Sequence, residues 1–83
     1  MTLQGVQLST VHAMASIQHS TSIDTVEDIQ LAEALGLDVE IIRSALNALA
    51  VAGYIHLDKF ETLAGMSYLA SLTSKGRDIL AKS

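Results

Sequence analysis

Apolar residues recur along the chain at two different spacings, and the switch between them sets out the architecture. From Asp38 to Gly53, Ile42, Ala45, Leu46, Leu49 and Ala52 fall at offsets 0, 3, 4, 7 and 10, one stripe of an amphipathic helix. The opposite face carries Glu40, Arg43, Ser44, Asn47, Ala48 and Val51. Just upstream, Leu35-Gly36-Leu37-Asp38 supplies a turn, since glycine accepts a positive φ at a helix end and Asp38 caps the next helix. Val26, Ile29, Ala32 and Leu35, joined by Leu31, form the buried face of the preceding helix. Its start is offered by Asp24 with Glu27, or in a competing frame by Thr25 with Asp28. Helix, short glycine-containing turn and helix is the pattern of the helix-turn-helix.

Leu3, Val6, Val11, Met14 and Ile17 lie near helical spacing, with Leu8 and Ala15 alongside. They predict a first helix from Leu3 or Val6 to Gln18, closed by the polar connector His19-Ser20-Thr21-Ser22. Ile23 stands alone among polar neighbours and suits a very short strand. After Gly53 the period changes to two. Ile55 and Leu57 point one way, and Tyr54, His56, Asp58 and Phe60 the other. Glu61 to Gly65 reads as a loop, and Ser67 to Leu72 as the returning strand of a hairpin. Thr73 or Ser74 caps a last helix from Lys75 to Lys82. No repeat or long linker divides residues 1–83, which are expected to form one domain.

Three stretches of this pattern resemble the winged helix-turn-helix regulators of the MarR and PadR type. Leu31-Ala32-Glu33-Ala34-Leu35-Gly36-Leu37 is similar to the family's LAexLGL end of helix two. Ile42 through Leu46, with Leu49 to Gly53-Tyr54-Ile55, is similar to its VxxxLxxLxxxGYI recognition helix and first wing strand. Leu72-Thr73-Ser74-Lys75-Gly76-Arg77-Asp78-Ile79-Leu80 is similar to its closing LTxKGxxxL segment. The resemblance implies a mainly α (α+β) fold: a three-helix core, a two- or three-stranded β-hairpin wing and a C-terminal helix. It also implies a transcription regulator that binds duplex DNA as a dimer, with helix 38–52 in the major groove. By position, Glu40, Arg43, Ser44 and Asn47 become base-edge candidates, Lys59 and Thr62 wing contacts, and Lys75 and Arg77 phosphate contacts.

Composition modifies that expectation. Nine acidic against five basic residues give a net charge of −4, whereas nucleic-acid binders draw most of their non-specific affinity from basic groups on phosphates. Asp38 and Glu40 crowd the leading end of the third helix, and the wing Asp58-Lys59-Phe60-Glu61-Thr62-Leu63 holds one lysine against two acids. Binding per monomer is therefore expected to be weak, and a homodimer would double the contacts. The alternative is a winged helix used for protein–protein contact, with Phe60, Leu63 and Met66 of the wing, and Ile41 and Val51 of the third helix, as its apolar surface. Self-association is further favoured by the 49% hydrophobic fraction, and Leu3, Val6 and Leu8 of the first helix offer a second dimer surface.

Other chemistries find little material. The chain has no Cys, so disulfides and thiolate metal sites are excluded. His12 and His19 lie seven apart without a paired acid or Cys, a poor metal set. No nucleophile, phosphate loop or acid–base pair stands at a recognisable spacing, so neither an enzyme nor a cofactor is expected. No apolar run approaches the roughly 20 residues of a membrane helix, and the start lacks a basic region followed by an apolar core. A soluble cytoplasmic protein is the expectation.

Overall fold

The computed structural model describes residues 5–82, with side-chain surroundings through Ala81, and its elements follow one another as α1 (Gly5–Thr21), β1 (Val26–Glu27), α2 (Asp28–Leu35), α3 (Val39–Val51), β2 (Ile55–Thr62), β3 (Gly65–Leu72) and α4 (Ser74–Lys82). The three strands form one antiparallel sheet in the order β1-β3-β2. This is a winged helix: three helices about a common core, and a hairpin extended to one side.

That core is built from the predicted stripes. Ile42, Leu46 and Leu49 of α3 are fully buried against Val11 and Met14 of α1, Leu31 of α2, Val26 of β1, and Ile55, Ala70 and Leu72 of the hairpin. Ala52 leaves the stripe: it is the C-cap of α3 and exposed, because the chain turns away at Gly53. Thr10 is buried among the apolar side chains and donates its hydroxyl to the Val6 carbonyl at 2.6 Å, which satisfies it without a partner from another element. The helix-turn-helix joint forms as its residues dictate. Gly36 ends α2 at φ 66°, and Asp38 starts α3 by accepting from the Glu40 amide at 3.3 Å.

Several boundaries move, each for a local reason. The polar connector after Gln18 stays helical to Thr21, whose hydroxyl donates back to the Ile17 carbonyl at 2.8 Å; Ser22, at φ 59°, then breaks the helix. Leu3 lies outside the described residues, and Val6 and Leu8 fall within α1. Ile23 is exposed and not in a strand. The short strand is Val26–Glu27 instead, with Val26 paired to Ala70 and Glu27 to Leu69. That pairing keeps the backbone extended through Glu27, so neither Asp24 nor Thr25 caps α2. Glu27 takes the N-cap place, and its amide donates to Gln30 Oε1 at 2.9 Å. The face that α2 buries is that of Asp28 and Leu31, and Ile29, expected inside, stays half in solvent. The wing turn is tighter than the five-residue loop expected: Thr62 pairs with Gly65, leaving only Leu63 and Ala64 between the strands.

The last helix is fastened to the turn that follows α3. Thr73 is its cap, accepting from the Gly76 amide at 3.2 Å while donating to the Gly53 carbonyl at 2.7 Å. The Thr73 amide donates to the Tyr54 carbonyl at 3.1 Å, and Lys75 Nζ donates to the Ala52 carbonyl at 2.8 Å above the Tyr54 ring. Among the described residues no helix is long and apolar enough to cross a membrane.

Candidate nucleic-acid interface

At 100° per residue, Glu40, Ser44, Asn47 and Val51 fall within an arc of roughly 60° on α3, opposite its buried stripe. Glu40, Ser44 and Val51 are exposed and Asn47 is half-buried. They make an outward ridge bearing one carboxylate, one hydroxyl, one carboxamide and one branched apolar group. On one flank, Ile41, Ser44 and Ala48 line a groove of about 430 Å³ whose far wall is Val6 and Gln7 of α1. On the other flank stands Arg43, facing the hairpin.

Arg43 is the most constrained of the candidate residues. Its Nε donates to Oδ2 of Asp28 at 2.6 Å, Nη1 to Glu40 at 3.3 Å, and Nη2 to the Met66 carbonyl at 2.7 Å. Its guanidinium also lies 5.1 Å from the centre of the Tyr68 ring, and Lys59 Nζ lies 5.2 Å from the same ring. The hydrogen bond to Asp28 holds the guanidinium above its ordinary pKa range, against a smaller opposing effect of desolvation. Asp28 has no exposed surface and is held at both oxygens, since Oδ1 accepts from the Ile29 amide at 2.9 Å. Arg43 therefore projects from the predicted helix face with three of its five N–H donors engaged by the protein itself. A guanine contact would have the second N–H of Nη1 and of Nη2 left to use.

The other candidates divide in the same way. Ser44 and Asn47 lie together on the ridge. Thr62 closes the wing turn, donating to the Gly65 carbonyl at 2.8 Å and accepting from the Ala64 amide at 3.2 Å. Lys75 is tied to Ala52 and Tyr54 as described above, and Arg77 reaches the Leu72 carbonyl at 3.4 Å, at the limit of a hydrogen bond. Lys59 is exposed on the wing. Ridge and wing are thus brought to one side by the hairpin, while Lys75 belongs to the joint at the opposite end of α3. Phe60, Leu63 and Met66 of the wing are solvent-exposed and do not fold back onto the core.

Sequence patterns did not indicate Asp28 as the partner of Arg43. It lies fifteen residues upstream, and its visible signal was that of a helix-start acid. Tyr68 and the Met66 carbonyl are equally remote, because a strand's period gives which face a residue occupies but not which helix meets it.

No family model matches the chain, and no curated protein matches its sequence. Solved structures match its fold closely. BpsR from Bordetella bronchiseptica, described with the regulation of its DNA binding by 6-hydroxynicotinic acid, superposes with a TM-score of 0.73 at 16% identity, over 96% of this chain and 55% of that one. A cysteine-to-serine variant of MarR from E. coli, complexed with operator DNA, gives 0.71 at 15% identity, over 96% and 52%. The PcaV transcriptional regulator from Streptomyces coelicolor, in complex with its natural ligand, gives 0.66 at 22% identity, over 93% and 50%. At these identities the likeness establishes the winged-helix fold. The chain spans about half the length of these structures.

Proposed function

We propose that this chain is the DNA-binding winged helix of a cytoplasmic transcription regulator, not an enzyme, and that it acts as a homodimer. The observation that carries the proposal is the match of 96% of the chain to a solved neighbour that is complexed with operator DNA. In this reading the α3 ridge enters the major groove. Asn47 pairs with adenine, Glu40 accepts from the cytosine amino group, Val51 meets a thymine methyl, and Ser44 takes either a base edge or a phosphate. Lys59 and Arg77 anchor phosphates, with Lys75 available where the backbone passes the α3–α4 joint. Thr62 contributes by holding the wing turn, and Arg43 by its internal bonds.

Electrostatics set how strong such binding is. Each phosphate neutralised lowers the slope of log K against log salt by about 0.9, so three cations per copy give a slope of roughly −3 and a dimer up to roughly −5. The test is a fluorescence-anisotropy titration of a random duplex pool, from low salt upward, beside a solution mass measurement. Binding that falls with salt along such a slope is expected. An absence of binding at the lowest salt rejects the proposal.

A second reading has its own observation in the exposed Phe60, Leu63 and Met66. In it the wing meets a protein partner or a second copy of the chain. Leu63→Asp then abolishes that association without unfolding the domain. If the variant keeps the wild-type solution mass and partners, the wing is not the contact.

A further inference from the structure

Three elements meet at the Arg43 guanidinium: Asp28 of α2, Glu40 of α3, and the Met66 carbonyl and Tyr68 ring of β3, the ring itself shared with Lys59 of β2. We propose that Arg43 is a positioning residue, a strut that fixes the wing relative to the α3 ridge, with Asp28 as its anchored foot. The proposal rests on the DNA-binding reading only for its functional consequence; the strut itself is a property of the free protein.

The geometry supports this in three ways. First, the foot is immobile. Asp28 is fully buried at the first position of α2, where the helix dipole favours a carboxylate, and both of its oxygens are engaged. Second, the outer hairpin has little else to hold it. The β1 ladder stops at Leu69, and outward of it Phe60 to Met66 are all exposed. Among the described residues, the hydrogen bond that reaches this outer part from the helices is the one from Arg43 to Met66. Third, the fork of a guanidinium is needed. Bonds leaving Nε and Nη2 toward different elements, with a ring against the flat face, are beyond a lysine ammonium. The bonds of Arg43 take three of its five N–H groups, one on each nitrogen, and leave the side chain 21% exposed.

Arg43→Lys and Asp28→Asn separate the two roles. Lysine at the first position keeps the positive charge that a phosphate or guanine contact uses but cannot bridge the elements. The Asp28→Asn change removes the charged foot from a site that DNA cannot touch. In the free protein, amide hydrogen exchange is expected to quicken about tenfold or more in residues 66–68 in both variants, with protection in α1 and α3 retained. Unchanged exchange in the wing overturns the strut. In duplex titrations across salt, each variant is expected to bind about tenfold more weakly, within the range for coupled neighbours. The slope stays at the wild-type value, and the double variant loses no more than either single one. Arg77→Ala serves as the control that does flatten the slope, by about 0.9. Wild-type affinity in Arg43→Lys, together with a flattened slope in Arg43→Gln, overturns the proposal in favour of direct contact. If the wild-type protein binds no duplex, the DNA-binding reading fails while hydrogen exchange still decides the strut.

Discussion

Replacing Gly76 by alanine sets two principles against each other, with opposite signs. Gly76 is the third residue of α4, where alanine is ordinarily the better helix former by about 1 kcal/mol. On propensity alone the variant gains stability. Packing gives the reverse. A Cβ built at this position lies 2.2 Å from the Tyr54 carbonyl oxygen, 3.3 Å from its carbon and 3.1 Å from Leu72 Cδ2. The oxygen contact is roughly 1 Å inside the ordinary carbon–oxygen approach of about 3.3 Å. Tyr54 cannot yield freely, because its carbonyl accepts from the Thr73 amide and its side chain is buried. Over-packing of this kind costs about 1–3 kcal/mol, and weakening the Thr73 bond adds about 1 kcal/mol. After the propensity gain is subtracted, the net loss is about 1–3 kcal/mol. For a domain of this size each kcal/mol moves Tm by about 4–8 °C, so thermal unfolding followed by circular dichroism should show a fall of roughly 5–20 °C. A Tm equal to or above the wild-type value would refute the reasoning, and would mean that α4 can lift from Tyr54 at no cost.

Three further sets of substitutions probe other parts of the structure. Gly36→Ala places a side chain at φ 66° and should cost about 1 kcal/mol in urea unfolding, with Gly36→Asn costing less; equal stability of all three forms would remove the left-handed turn from the account. Leu46→Ala empties the centre of the α3 stripe and should cost about 2–5 kcal/mol by the same assay, a smaller loss pointing to collapse of the site. Ser44→Ala and Asn47→Ala should leave Tm within about 1–2 °C of wild type, being outward-facing, yet relax base preference in a selection from random duplexes; unaltered preference would take the ridge out of DNA reading.

The fold was legible because each element announces itself locally. A 3.6-residue stripe, a glycine followed by a capping acid, a switch to period two and a closing LTSKGRDIL need no knowledge of distant neighbours. The displaced boundary of α2 came from tertiary pairing. Val26 reads as the first apolar residue of a helix, yet its ladder to Ala70 claims it for a strand and delays α2 to Asp28. The candidate interface was legible only as a face. Helical geometry put Arg43, Ser44 and Asn47 on the solvent side of α3, but the disposition of Arg43 depends on a carboxylate fifteen residues back and a carbonyl twenty-three residues on. One-dimensional spacing carries no information about either. Charge was informative in a different way: a deficit of cations in the composition became, among the described residues, four cations each set against a carbonyl or ring of the protein itself.

The start of α4 completes the end of α3 as well as its own. Thr73, Lys75 and Gly76 hold the start of α4 against Gly53, Ala52 and Tyr54, the turn that follows α3. The carbonyls of Ala52 and Gly53, left over where α3 ends, thus take their side-chain donors from the start of α4, so loss of either donor exposes an unmet acceptor at the end of that helix.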